Sequence, residues 1–284
     1  MQSFSNLVEA ETVLSHLCSP DWRLFDCRFD LKDVSAGEAA YAANHIPGAQ
    51  YLHLDRDLSS PRAAGTGRHP LPQPARLAQR LGELGLGPDS QAVFYDDSAG
   101  LYAARAWWLL RQLGHQRAAV LNGGLAAWRA AGGELTARRE RPEPRELPCP
   151  IGRFPSLSAG DVQAGLAAGN LALVDVRSDE RFRGLVEPLD PVAGHVPGAS
   201  NLPHTTLLGA DGRFLPPERI RERLIAHLSP VGPQPVAVMC GSGVTACHVL
   251  LAMDVAGLHG ASLYGGSWSE WCSDPSRPVA TAMV

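Results

Sequence analysis

The residue here whose type and setting could do chemistry is a cysteine at the exit of an apolar run. In "VAVMCGSGVTACH", residues 236–248, the run ends at Cys240 and gives way to Gly241, Ser242 and Gly243. A small apolar segment with the composition of a helix follows, entered through Val244 and Thr245. Glycines let successive backbone N–H groups turn inward and form an anion-holding nest. A helix that starts behind such a turn aims its positive end at the same point. A thiol held there ionises more readily, and the thiolate is a nucleophile. The competing reading is a buried structural thiol, a common state for cysteine. Cys247 lies two helical turns from Cys240, is expected to face the core, and is given no role.

The elements that must position this loop show up as a repeat. "WRLFDCRFD" at 22–30 returns as "LALVDVRSD" at 171–179, and "NHIPGAQYL" at 44–52 as "GHVPGASNL" at 194–202. "AVFYDD" at 92–97 returns as "AVMCGS" at 237–242, and "LNGGLAAW" at 121–128 as "YGGSWSEW" at 264–271. Four blocks in the same order at nearly constant offset mean a duplicated domain. Asp96 stands in the first copy where Cys240 stands in the second, so the nucleophile is present once. The expected division is a first domain over 1–135 without the nucleophile, a Pro/Arg-rich linker over 136–153, and a catalytic domain over 154–284. In "TARRERPEPRELPCPIG" the prolines deny the backbone donors that a ladder needs.

Within each copy, short apolar runs such as "LALVDV" alternate with amphipathic segments. "PERIRERLIAHL" carries Ile220, Leu224, Ile225 and Leu228 at helical spacing. Strands without polar alternation belong to parallel sheets covered on both faces. The expected fold class is therefore α/β: two tandem, open, mostly parallel sheets flanked by helices on both faces. In such sheets the reactive crevice lies beyond the carboxyl ends of the strands, where Cys240 sits.

Length and composition agree with two domains. The chain has 284 residues, 45% apolar and 19% charged, with a net charge of −4, enough for a core in each half. No block of like charge suggests a nucleic-acid or membrane partner, and the basic cluster at Arg138, Arg139 and Arg141 is read as solvated linker. No apolar run approaches bilayer length, and no signal peptide is visible at the N-terminus. Six cysteines without a CxxC pair fit a reducing cytoplasm and call for neither a disulfide scaffold nor zinc. No cofactor is expected.

Taken together, "HIPGA", "GRHPLP", "LNGGLAAW", "RFRG", "GHVPGA", "CGSGVTA" and "GGSWSEW" resemble the two-domain rhodanese family, in particular its mercaptopyruvate branch, over nearly the whole chain. The resemblance implies a sulfurtransferase. Cys240 thiolate takes the outer sulfur of a donor as a persulfide, and a thiol, thioredoxin or cyanide then removes it, a covalent two-step mechanism. It implies that Gly241, Gly243, Val244 and Thr245 surround the donor, and that Arg183 of "RFRG" holds the donor's anionic end through its guanidinium fork. It also implies that Asp55 of "LDRDLS" and His69 of "GRHPLP", supplied by the first copy, join Ser242 as a proton-moving set. His45 and His195 occur in both copies, as do Asp26 and Asp175; all four are read as structural. Trp107 and Trp108 are read as packing. The expected partners are a small anionic sulfur donor and a thiol or thioredoxin acceptor, with the protein a monomer or weak dimer.

One stretch departs from the branch. Where a second arginine is usual, residues 185–193 read "LVEPLDPVA", with Glu187 and Asp190 instead. The neutral Gly241-Ser242 pair favours mercaptopyruvate over thiosulfate, a dianion that suits basic loop residues; thiosulfate remains the alternative donor. A cysteine phosphatase would need an arginine six residues after the nucleophile, and that position is Ala246. A sulfur carrier or binding module without turnover is the remaining alternative.

Overall fold

The structure is a computed structural model and describes residues 3–281. Contacts divide it into two compact units: 1–60 with 71–154 and 210–213, and 61–70 with 155–209 and 214–284. The segment 136–153, expected as a linker, groups with the first unit. The loop Pro61–Pro70, which lies in the first sequence copy, groups with the second.

The first unit holds five strands: β1 (Leu7–Val8), β2 (Trp22–Asp26), β3 (Gln50–Tyr51), β4 (Gln91–Tyr95) and β5 (Ala118–Leu121). Their order is β1-β5-β4-β2-β3, and every pairing is parallel. The second unit holds β6 (Ala172–Asp175), β7 (Ser200–Asn201), β8 (Val236–Met239) and β9 (Ser262–Leu263), ordered β7-β6-β8-β9 and again all parallel. The counterpart of β1 is reduced there to a single parallel bridge between Leu157 and Tyr264. The central strands β4 and β6 are buried throughout, because helices cover both faces of a parallel sheet.

The helical pattern of 217–228 is a helix over Pro217–Leu228 that buries Ile220 and Leu224. Ile225 departs from the expected stripe and is exposed. In the first unit, Trp128 and Tyr95 anchor the core beside Val93 and Leu121. In the second, Trp268, Trp271 and Tyr264 pack on Met239 and Leu173. Large aromatics that lose all contact with water contribute most to such cores, about 3 kcal/mol each for the apolar part.

The repeated polar residues hold the two frames in the same way. Asp26 takes the guanidinium of Arg28 at 2.6 Å, and Asp175 takes that of Arg177 at 2.7 Å, both pairs being buried. His45 Nδ1 lies 2.7 Å from the Tyr41 carbonyl oxygen, and His195 Nδ1 lies 2.7 Å from that of Phe182. Each imidazole stacks on the ring of the same residue, at 4.1 and 3.8 Å. Trp107 is buried and donates its indole N–H to Ser5 at 2.7 Å. Trp108 is likewise buried, with its ring 6.0 Å from that of Phe154. No helix among the described residues is long and apolar enough to cross a membrane.

Candidate active site

β8 delivers Cys240 to the carboxyl edge of the second sheet. The helix Thr245–Val255 begins five residues later. Between them the chain turns at Gly243, whose φ is 77°. A side chain at Gly243 would run into the backbone carbonyl of Gly265, so glycine is required both for the turn and for the close approach. Cys240 is 2% exposed and Ser242 5%. The N–H groups of Gly241, Ser242 and Val244 donate to no backbone or side-chain acceptor among the described residues. The loop thus leaves donors free to face an anion.

A short helix, Ser267–Trp271, fixes the loop from behind. Ser267 Oγ accepts from the Cys240 N–H at 3.1 Å and donates to the Tyr264 carbonyl oxygen at 2.8 Å. The Cys240 and Gly241 carbonyl oxygens accept from the N–H groups of Trp268 and Ser269 at 3.0 and 2.9 Å. Ser267 does this at φ 54°, a left-handed conformation that ordinary side chains avoid.

The same short helix docks the loop Pro61–Pro70. Arg68 N–H donates to Ser269 Oγ at 3.0 Å, and a side chain on Gly67 would press on the Gly266 carbonyl. Docked there, His69 is 5% exposed, and its Nδ1 lies 2.7 Å from Ser242 Oγ. His69 and Ser242 are therefore brought together within the second unit. Asp55 belongs to the first unit, half-buried, with its backbone N–H donating to His53 Nδ1 at 3.1 Å.

The arginines differ from the sequence expectation. Arg183 is 40% exposed along its side chain and pairs with Asp179 one helical turn back, at 3.4 Å. Arg181 and Arg68 face the cysteine loop instead. A Cβ built on Gly241 would lie 2.9 Å from Arg68 Nη2 and 3.5 Å from both terminal nitrogens of Arg181. Gly241 thus has a second reason to lack a side chain: two guanidinium groups occupy the space. Both arginines have acidic partners. Arg68 pairs with Asp190, and Arg181 pairs with Glu187 at 2.7 Å and Asp190 at 3.5 Å. Arg177, already held by Asp175, lies 4.8 Å over the Trp268 ring and reaches Glu187 at 3.3 Å.

The first unit shows what its own version of the loop holds. The Asp96 carboxylate accepts from the N–H groups of Ser98, Gly100, Tyr102 and Ala103, each at 2.8 Å. Burial pushes this carboxyl above its ordinary range, although the four amides favour its ionised form. The protein's own carboxyl side chain fills that cradle. In the second unit the corresponding strand end carries a thiol. Cys247 is buried, and its Sγ donates to the Gly243 carbonyl oxygen at 3.3 Å.

Sequence reasoning missed Arg68, Arg181, Ser267 and the part played by Asp190. Arg68 precedes a singled-out histidine, and Arg181 shares the motif of Arg183. Ser267 stands at the place of Gly124 in the repeat, which itself has φ 55°; a serine where the copy has glycine was the signal.

The rhodanese-like domain family matches the chain twice, over residues 9–131 and 158–274. A Pseudomonas aeruginosa protein named "Probable 3-mercaptopyruvate sulfurtransferase" is 50% identical over 98% of this chain and 99% of its own length. A Mycobacterium tuberculosis protein named "Putative thiosulfate sulfurtransferase SseB" is 42% identical over 90% of this chain and 89% of its own. The crystal structure of SseA from Escherichia coli, a 3-mercaptopyruvate sulfotransferase of "rhodanese" fold, covers 94% of this chain and all of its own at 30% identity, with a TM-score of 0.79. With one match per sheet and full-length relatives on both measures, this chain belongs to the rhodanese-like family as a tandem of two such domains.

Proposed function

We propose that the protein is a sulfurtransferase that moves sulfur from 3-mercaptopyruvate, through a persulfide on Cys240, to a thiol, thioredoxin or cyanide. The observation that carries this reading is the loop itself. A buried cysteine directly follows β8, free amides and two arginines lie at its loop, and Ser242 sits in contact with His69.

The chemistry follows from those parts. Cys240 thiolate attacks the donor sulfur, the donor's C–S bond breaks, and its electron pair passes to the carbon as the enolate of pyruvate. Ser242, joined to His69, supplies the proton that the enolate takes up. The acceptor thiolate then attacks the outer sulfur of the persulfide, and the Cys240 thiolate leaves. Loop amides stabilise thiolate and persulfide alike. Arg181 and Arg68 hold the donor carboxylate, with Gly241, Gly243, Val244 and Thr245 shaping its pocket. Asp55 keeps the proton-moving role that the family resemblance implies. Arg181 is favoured over Arg183 for this contact, since Arg183 is exposed beside Asp179 and Arg181 lies against Gly241.

Thiosulfate is the second donor to weigh, because two guanidinium groups beside Gly241 suit a dianion and one relative is named for that donor. The working division remains a domain over 1–135, a connecting segment over 136–153 and a catalytic domain over 154–284, in a cytoplasmic monomer or weak dimer without nucleic-acid or membrane partners.

Mass spectrometry of protein treated with mercaptopyruvate and no acceptor tests the proposal. A gain of about 32 Da, one sulfur atom, is expected on Cys240. Its absence there, or its persistence in Cys240→Ser, would sink the mechanism. Comparing kcat/KM for mercaptopyruvate and thiosulfate on one preparation decides the donor.

A further inference from the structure

The segment 185–193 replaces an expected arginine by Glu187 and Asp190, and the structure shows where those charges go. Asp190 has a side chain only 4% exposed, placed between Arg68 and Arg181. These are the two guanidinium groups that crowd Gly241 beside Cys240. Glu187, 3% exposed, spans Arg181 and Arg177. Asp175 takes the rest of Arg177. Around the loop, three buried or half-buried arginines thus face three buried carboxylates. Two atoms in this network have no hydrogen-bond partner, Arg68 Nε and Asp190 Oδ2, and both are buried. The network is balanced in charge but incomplete in hydrogen bonding, as a site that also receives a visiting anion would be.

We propose that Asp190 is a specificity-determining counter-ion: it offsets one guanidinium charge beside Cys240 and so selects singly charged sulfur donors over doubly charged ones. The inference rests on the donor site proposed above and names its charge class. The physical reason is Coulombic. The repulsion between a fixed carboxylate and a donor scales with the donor's charge. Mercaptopyruvate carries one negative charge while its thiol is protonated; thiosulfate carries two. Whatever factor Asp190 costs a monoanion, it costs a dianion the square of that factor. Without Asp190, the arginine pair would favour the dianion.

The test compares the protein with its Asp190→Asn variant, which keeps the shape and removes the charge. The ratio of kcat/KM for thiosulfate to that for mercaptopyruvate, measured with cyanide as acceptor, should rise about tenfold. A second readout does not depend on turnover. In a Cys240→Ser background, calorimetric affinities for sulfate and for pyruvate should shift in the same sense, with the sulfate-to-pyruvate ratio rising about tenfold in Asp190→Asn. Glu218→Gln, which removes an exposed carboxylate on the helix Pro217–Leu228, should leave both ratios within about twofold, the small effect of a distant screened charge. A ratio that stays level or falls in Asp190→Asn overturns the proposal, because a purely structural carboxylate would weaken both anions alike. Should Asp190→Asn not fold, Asp190→Ser takes its place in both measurements. If the unaltered protein transfers sulfur from neither donor, the enzymatic reading fails, while the affinity ratio still decides the role of Asp190.

Discussion

Ser267 holds the backbone of Cys240: its hydroxyl accepts from the Cys240 N–H at 3.1 Å from a residue whose φ is 54°. Gly124 stands at the matching place of the first unit, at φ 55° without strain. The left-handed conformation costs a side-chain-bearing residue about 1–2 kcal/mol, and the second unit tolerates it where Cys240 is held. Ser267→Gly removes the strain and the hydrogen bond together, two effects of similar size and opposite sign. The expected outcome is a melting temperature changed by no more than a few degrees and a kcat/KM reduced about tenfold, since the backbone of the proposed nucleophile loses its anchor. Equal activity in Ser267→Gly would show that the hydroxyl does not position Cys240.

Arg181 and Arg183 sit two residues apart and make opposite predictions. Arg181 contacts the space over Gly241 and is tied by Glu187 and Asp190; Arg183 is exposed beside Asp179. Removing a partly buried charge that grips a donor anion costs a few kcal/mol. Arg181→Gln should therefore lower kcat/KM about a hundredfold, chiefly through KM. Arg183→Gln should stay within about twofold, as expected for one exposed ion pair. Steady-state kinetics of both variants with mercaptopyruvate decides it, and the reverse order would return the donor to Arg183.

Much of the frame was legible because it repeats. Buried strands announce themselves by uninterrupted apolar runs, and Asp26 with Asp175 and His45 with His195 were readable as structure because each occurs in both copies. Cys240 stood out as a candidate for the opposite reason, since Asp96 takes its place in the other copy. The grouping of Pro61–Pro70 with the second unit was not legible, because it depends on Gly67 and Arg68 meeting residues about two hundred positions away. Nor could a sequence separate Arg181 from Arg183. Residues two apart on one short helix point to opposite sides, and only tertiary contacts choose between them. Glu187 and Asp190 were noticed as a departure, but their pairing with Arg177, Arg181 and Arg68 required coordinates.

Several histidines give the fold a pH limit. Burial holds the imidazoles of His53, His115, His204 and His227 below the ordinary histidine range. Each is then neutral when folded and more easily protonated when unfolded. The stability tied to them is complete above about pH 6.5, the unfolded value, and is lost as pH falls below it toward the depressed folded values. Asp96 works in the opposite sense, because its raised folded value makes acid favourable to the native state. Thermal unfolding should accordingly shift down by several degrees between about pH 7 and about pH 5.5. His115→Gln, which can keep a donor to the Ser90 carbonyl oxygen, should flatten part of that slope. A midpoint constant over this interval would contradict the assignment.

The contact between His69 and Ser242 predicts a donor-dependent defect. Cleaving the C–S bond of mercaptopyruvate leaves an enolate carbon that must gain a proton, so a relay at this point speeds the step. Thiosulfate leaves as sulfite, a stable anion that needs no proton from the protein. Ser242 Oγ and His69 Nδ1, 2.7 Å apart and both buried, are placed to act as the proposed relay, which only the first donor would use. General acid catalysis of this kind contributes about a hundredfold or more. Ser242→Ala should therefore reduce kcat with mercaptopyruvate by about a hundredfold and leave thiosulfate within about threefold, if water replaces the relay poorly. His69→Gln, measured alongside, should reproduce the same asymmetry. The outcome that removes the relay is an equal loss with both donors: it would mean that Ser242 shapes the loop around Cys240 without moving a proton.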